Sequence, residues 1–136
     1  MPFFTKQVPT PLTLSVSTKD ASQDTFTKNG GQSEISYLIP SAWSFFGGSS
    51  TLQLKFTGKV EMHISENVVK FSLVNLSTGT TVLEKKWETE DASGLTIDEV
   101  MTCSIQSSNR YELKMFAEVY CGDNPKATSE LNLTIT

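Results

Sequence analysis

The chain reads as an all-β protein, a jelly-roll or Greek-key sandwich of about eight to nine antiparallel strands. Three observations predict this. Apolar residues recur at every second position along most of the chain, turn residues punctuate these runs every 8–15 residues or so, and no long segment carries a helical period. Composition agrees: Ser and Thr are abundant and Ala is sparse, which favours pleated strands over helices. The 136 residues suit one domain with a sizeable core. At 19% charged and 38% hydrophobic, the chain has the balance of a folded protein rather than a disordered one.

Taken in order, residues 1–11 read as an extended N-terminal arm, with Pro9 and Pro11 at its end, and residues 12–136 as a single sandwich domain. Leu12, Leu14 and Val16 alternate in a first strand, and the polar stretch Ser17–Ser33 is a long loop around Gly30 and Gly31. Glu34–Ile39 is a second strand, stopped by Pro40. Leu52, Leu54 and Phe56 form a third. Gly58 reads as a turn, with Val60, Met62 and Ile64 in a further strand beyond it.

Val69, Phe71 and Leu73 share one face, and Thr78-Gly79 turns the chain into a strand holding Thr81, Leu83 and Trp87. Glu84 and Lys86 take its opposite phase. Leu95 and Ile97 open a segment that continues to Ile105, and "GLTIDEVMT" within it is the one place that could hold a helical turn. "SSNR" then turns the chain as in a hairpin, which would set Cys103 opposite about Lys114. Tyr111, Leu113, Met115, Ala117 and Val119 show the cleanest alternation, and Leu131, Leu133 and Ile135 make the last strand.

Several function classes are disfavoured. The net charge is −4 and no run of Lys or Arg exists, so no nucleic-acid partner is expected. No apolar run approaches the roughly 20 residues that span a bilayer, so no membrane partner is expected either. "MPFFTKQVPTP" lacks a basic stretch followed by an apolar one, and the expectation is synthesis in the cytoplasm without a signal peptide. Cys103 and Cys121 are expected to be buried thiols, and the sequons at Asn75 and Asn132 to be chance matches within strand-like segments.

Catalytic constellations are thin, and no enzyme is expected. His63 is the one histidine and reads as a solvent-facing strand residue; no G-x-S-x-G elbow accompanies it. One imidazole and two thiols do not make a zinc site. Glu61, Glu66, Glu112 and Glu118 lie on polar strand phases, where solvated carboxylates are routine. Oxygen-rich "CGDNP" and "ETEDAS" read as turns rather than calcium loops. Gly30-Gly31 and Gly47-Gly48 lack the pattern of a phosphate cradle. No metal, cofactor or catalytic residue is expected.

The candidate site is aromatic. "IPSAWSFFGGSS" packs Trp43, Phe45 and Phe46 into a stretch with the punctuation of a loop. Adjacent residues of an extended chain point opposite ways, so one of Phe45 and Phe46 faces inward and the other outward. Phe116 and Tyr120 lie on the phase opposite Leu113 and Met115, where a solvated sheet is polar. Such rings pack under the domain's own loops, bury against another protein, or form a platform for a ligand, in that order of weight.

"LQLKFTGKVEMHISENVVKFSLVNLSTGTTVLEKKW" (Leu52–Trp87) and "NRYELKMFAEVYCG" (Asn109–Gly122) resemble small jelly-roll structural proteins of bacteriophage virions, of the decoration (cement), head-fibre and tail-associated types. The shared features are a strand, a G-K-V turn, a second strand, and L-x-N-x-x-T-G-T before the next hairpin. No functional residue is carried across by them. The resemblance implies a virion protein whose N-terminal arm, with Phe3 and Phe4, lies across a neighbour.

The expectation is thus a non-enzymatic virion structural protein. It would bind a capsid or tail lattice and self-associate, as a trimer, through Trp43, Phe45 or Phe46, Phe116, Tyr120 and the arm. The alternative is a carbohydrate-binding, lectin-like module using the loop at residues 39–50, with a glycan as partner.

Overall fold

The computed structural model describes residues 12–18, 31–39, 49–60, 67–88, 94–106, 108–119 and 129–136. They hold eight strands: β1 (Leu12–Ser17), β2 (Gly31–Leu38), β3 (Ser49–Val60), β4 (Val68–Asn75), β5 (Thr80–Glu88), β6 (Leu95–Gln106), β7 (Tyr111–Val119) and β8 (Ser129–Ile135). The expected division into an arm and a domain at residue 11 lies outside the described residues.

All pairings are antiparallel, in two four-stranded sheets with orders β1-β8-β3-β6 and β2-β7-β4-β5. The pairs nest: β1 with β8, β2 with β7, β3 with β6 and β4 with β5. The chain is in effect one long hairpin, folded back at the turn after Asn75 and rolled so that successive pairs alternate between sheets. That is the jelly roll.

Alternation explains why the sheets close face to face. Leu52, Leu54 and Phe56 of β3, Phe71 and Leu73 of β4, Leu113, Met115 and Ala117 of β7, and Leu131, Leu133 and Ile135 of β8 all point inward and are buried. An aromatic group anchors the core. Phe56 meets Phe71 edge-on with ring centroids 4.8 Å apart, and Trp87 with centroids 5.2 Å apart. Trp87 Nε1 donates to Glu99 Oε1 at 3.1 Å, and Lys85 Nζ lies 3.6 Å from Glu99 Oε2, closing the seam between β5 and β6. Elsewhere Ser129 Oγ of β8 donates to the Glu118 carbonyl of β7 at 3.0 Å, a polar tie between the sheets.

Three local expectations are corrected. Gly58 does not turn the chain: β3 runs unbroken through it, paired with Ile97 of β6 and Leu131 of β8. The glycine is required because β8 comes so close that an added Cβ would overlap the Glu130 carbonyl oxygen. "GLTIDEVMT" holds no helical turn beyond Gly94, since Leu95 onward is β6 in continuous register with β3. Nor do β6 and β7 form a hairpin. They belong to different sheets, and Cys103 lies opposite Leu52 rather than Lys114. The connection between them is fixed instead by Tyr111, whose hydroxyl accepts from the Gln106 amide at 2.9 Å.

Candidate functional site: the outer face of the β2-β7-β4-β5 sheet

Of the aromatic candidates, Phe116 is described; Trp43, Phe45, Phe46, Tyr120, Phe3 and Phe4 lie outside the described residues, as do His63 and Cys121. Phe116 sits on β7 between Leu113–Met115 and Ala117–Val119, and the period of two turns its ring to the outer face of the sheet. It is half-buried there, with Lys70 Nζ of the neighbouring β4 at 5.4 Å from the ring centroid. A cation above a ring face gains about 0.5–1 kcal/mol at an exposed site.

Register builds the surroundings. Glu34 of β2, Phe116 of β7, Lys70 of β4 and Lys86 of β5 form one row across the sheet. The next row is Ser36, Lys114, Ser72 and Glu84. Ser36 and Ser72 are the short side chains of this row, and Ser72 lines a groove on the face. This groove has a volume of ≈ 490 Å³, and four lysines line it against two glutamates. Glu99, Glu88 and Glu112 pair with three of these lysines, so the groove carries no excess of positive charge.

The four lysines are not equivalent. Lys85 is held at the seam by Glu99 and lies over the Trp87 ring. Lys86 meets Glu88 at 3.5 Å and Lys114 meets Glu112 at 3.7 Å, but both lysine side chains are 52% exposed. Ion pairs this open contribute at most about 1 kcal/mol and exchange partners readily. Lys70 has the Phe116 ring and no carboxylate partner among the described residues.

No family model matches this chain. No curated protein matches it either. Solved structures with a similar course of strands include dimeric latent PorU from Porphyromonas gingivalis, at 7% identity and a TM-score of 0.43, covering 96% of this chain and 13% of that one. The VP2 subviral particle of infectious bursal disease virus matches at 16% identity and a TM-score of 0.38, covering 93% of this chain and 32% of that one. CBM35 from Paenibacillus barcinonensis matches at 14% identity and a TM-score of 0.43, covering 94% of this chain and 98% of that one. The chain therefore spans a small part of the first two. The fold is defined by the strand order itself, and these likenesses add no function to it.

Sequence reasoning placed Phe116 on the outer face but did not assemble the groove. Lys70, Lys86 and Lys114 lie on three strands, and no run of cations marks them. The available signal was polar phase: Lys70 and Lys114 each stand between two inward apolar residues, and Lys86 precedes the inward Trp87. Only the strand order brings them to one hollow. Glu61 and Glu66 lie outside the described residues, and the other two candidate carboxylates are each engaged by a neighbour. Glu112 meets Lys114, and Glu118 accepts from the Gln32 side chain. Among the described residues, no group of three or more His, Cys, Asp or Glu could hold a metal ion. Asn75 spends its side chain on the turn, accepting from the Ser77 and Thr78 amides at 2.9 and 3.2 Å.

Proposed function

We propose that this chain is a non-enzymatic structural protein of a virion, a jelly roll that joins a capsid or tail lattice and self-associates by burying its outer surfaces against other protein. The observation that carries the reading is Phe116. An aromatic ring stands on the outer phase of a sheet whose inner phase already fills the core, and it is left half-covered. Covering such a ring with a second protein is where interface energy concentrates, at roughly 2 kcal/mol or more for an aromatic anchor. The bacteriophage-type resemblance of Leu52–Trp87 supports the virion setting.

The test is the mass of the protein in solution as a function of concentration, for the parent and for Phe116→Ser. Oligomers that dissociate in the variant, with an unchanged unfolding midpoint, are expected. A parent that stays monomeric and saturably binds a neutral sugar on a glycan array would replace this reading with the lectin-like one. Hydrolysis of a substrate that depends on a carboxylate of the chain would end the non-enzymatic part.

A further inference from the structure

We infer that β6 is a self-association edge: two copies of this chain join along it, antiparallel, about a two-fold axis at Val100, so that their sheets run on into one another. The inference rests on the reading of the chain as self-associating. It names a contact separate from Phe116, which belongs to the other sheet.

The edge itself is the first support. β6 has 12 residues, against 6, 8 and 9 for the other outer strands, β1, β2 and β5. No strand lies beyond β6 among the described residues, so alternate residues turn their amide and carbonyl away from β3. β5 carries Lys85 and Lys86, whereas β6 has no cation, and Val100 at its middle is 54% exposed. Antiparallel pairing along its length would add roughly ten backbone hydrogen bonds.

The pattern of residues selects a second copy as the occupant. In an antiparallel pair, directly opposed residues share a face, so the register follows from which residue meets itself. An axis at Asp98 or Glu99 sets like charges against each other. An axis at Val100 avoids this and matches the strand almost end to end. Exposed Val100 then covers the partner's Val100, and Asp98 meets the hydroxyl of the partner's Thr102. On the inner phase, Ile97 meets the partner's Cys103, and Ile105 meets the partner's Leu95. Glu99 is already held within its own chain by Trp87 Nε1 and Lys85. The strand is thus complementary to itself. A parallel pair closed by a two-fold would instead set the inner face of one sheet beside the outer face of the other.

Sedimentation over a concentration series tests this on the full chain, with Phe116→Ser as the background so that the β6 contact is read alone. In that background the oligomers are expected to fall to a dimer and no further. Adding Val100→Lys or Val100→Glu sets like charges together at the axis, and each is expected to raise the dimer dissociation constant roughly tenfold or more. A one-to-one mixture of the two sets lysine against glutamate and is expected to recover the dimer. Unfolding midpoints of the dilute proteins are expected to agree, since residue 100 is exposed in the single chain. Amide exchange in β6 of the parent is expected to slow as concentration rises, a readout that needs no substitution.

Variants that dimerise like their background, a mixture as monomeric as its components, or β6 exchange indifferent to concentration would overturn the proposal. Mass that grows without limit in the Phe116→Ser background would also overturn it, because a two-fold pair is closed. Oligomers that Phe116→Ser takes straight to monomers would sink the β6 inference alone. Dimers that depend on residue 100 in a chain whose assembly ignores Phe116→Ser would sink the Phe116 anchor alone. A parent that is monomeric at every concentration would sink both.

Discussion

At the scale of single residues, backbone crowding at one glycine is more demanding than any exposed side chain. Gly58 has φ of 153° and faces the Glu130 carbonyl with no room for a methyl group. Gly58→Ala must therefore push β8 away from β3 or twist the strand, and is expected to cost about 2 kcal/mol or more. Urea unfolding should show a lower midpoint at an unchanged slope. Gly79, with φ of 75° and open space around it, involves only backbone conformation, so its alanine variant should cost about 1 kcal/mol. The contrast separates crowding from conformational preference. A Gly58→Ala loss no larger than that of Gly79→Ala would show that β8 yields freely.

At the scale of elements, alternation made the strands legible and left their partners hidden. The inner phases of β3, β4, β7 and β8 follow directly from Leu52–Leu54–Phe56, Phe71–Leu73, Leu113–Met115 and Leu131–Leu133. A period of two says which residues share a face, but not which strand lies alongside. This is why Tyr111–Val119 looked like the hairpin partner of the strand before it, although the two belong to different sheets. Gly58 misled for the same reason: its necessity comes from a strand 72 residues further on, at Glu130. The lysine groove is a product of lateral order too, so it was not readable locally.

One element carries a liability of its own. β6 is a sheet edge of twelve residues, in unbroken register with β3, and has Val100 54% exposed. It has neither Pro nor Lys, two common guards of an edge. Val100→Lys is expected to leave stability within about 0.5 kcal/mol and to lower light scattering in concentrated solution. Unchanged scattering would mean that the edge is covered already.

For the molecule as a whole, nesting dictates slow assembly. The β1–β8 pairing joins residues from opposite ends of the described chain, with Leu12 opposite Ile135, and only β4 with β5 closes locally. Folds dominated by distant pairings pass through costly loop closures first, and fold in milliseconds to seconds. Stopped-flow refolding is expected to fall in that range, far slower than for a helical bundle of similar length. Microsecond folding would show that the distant strands find each other by a shorter route.

The β1–β8 register also sets how the domain bears load. Leu12 faces Ile135 while Ser17 faces Glu130, so the entry to one strand and the exit from the other lie at the same end of the ladder. Tension applied between Leu12 and Ile135 breaks that ladder one rung at a time, as a zipper opens, instead of shearing all its bonds together. The protein should be mechanically soft when pulled at those two points and stiff when gripped across its sheets. A particle held together by this fold would fare best with strain arriving broadside.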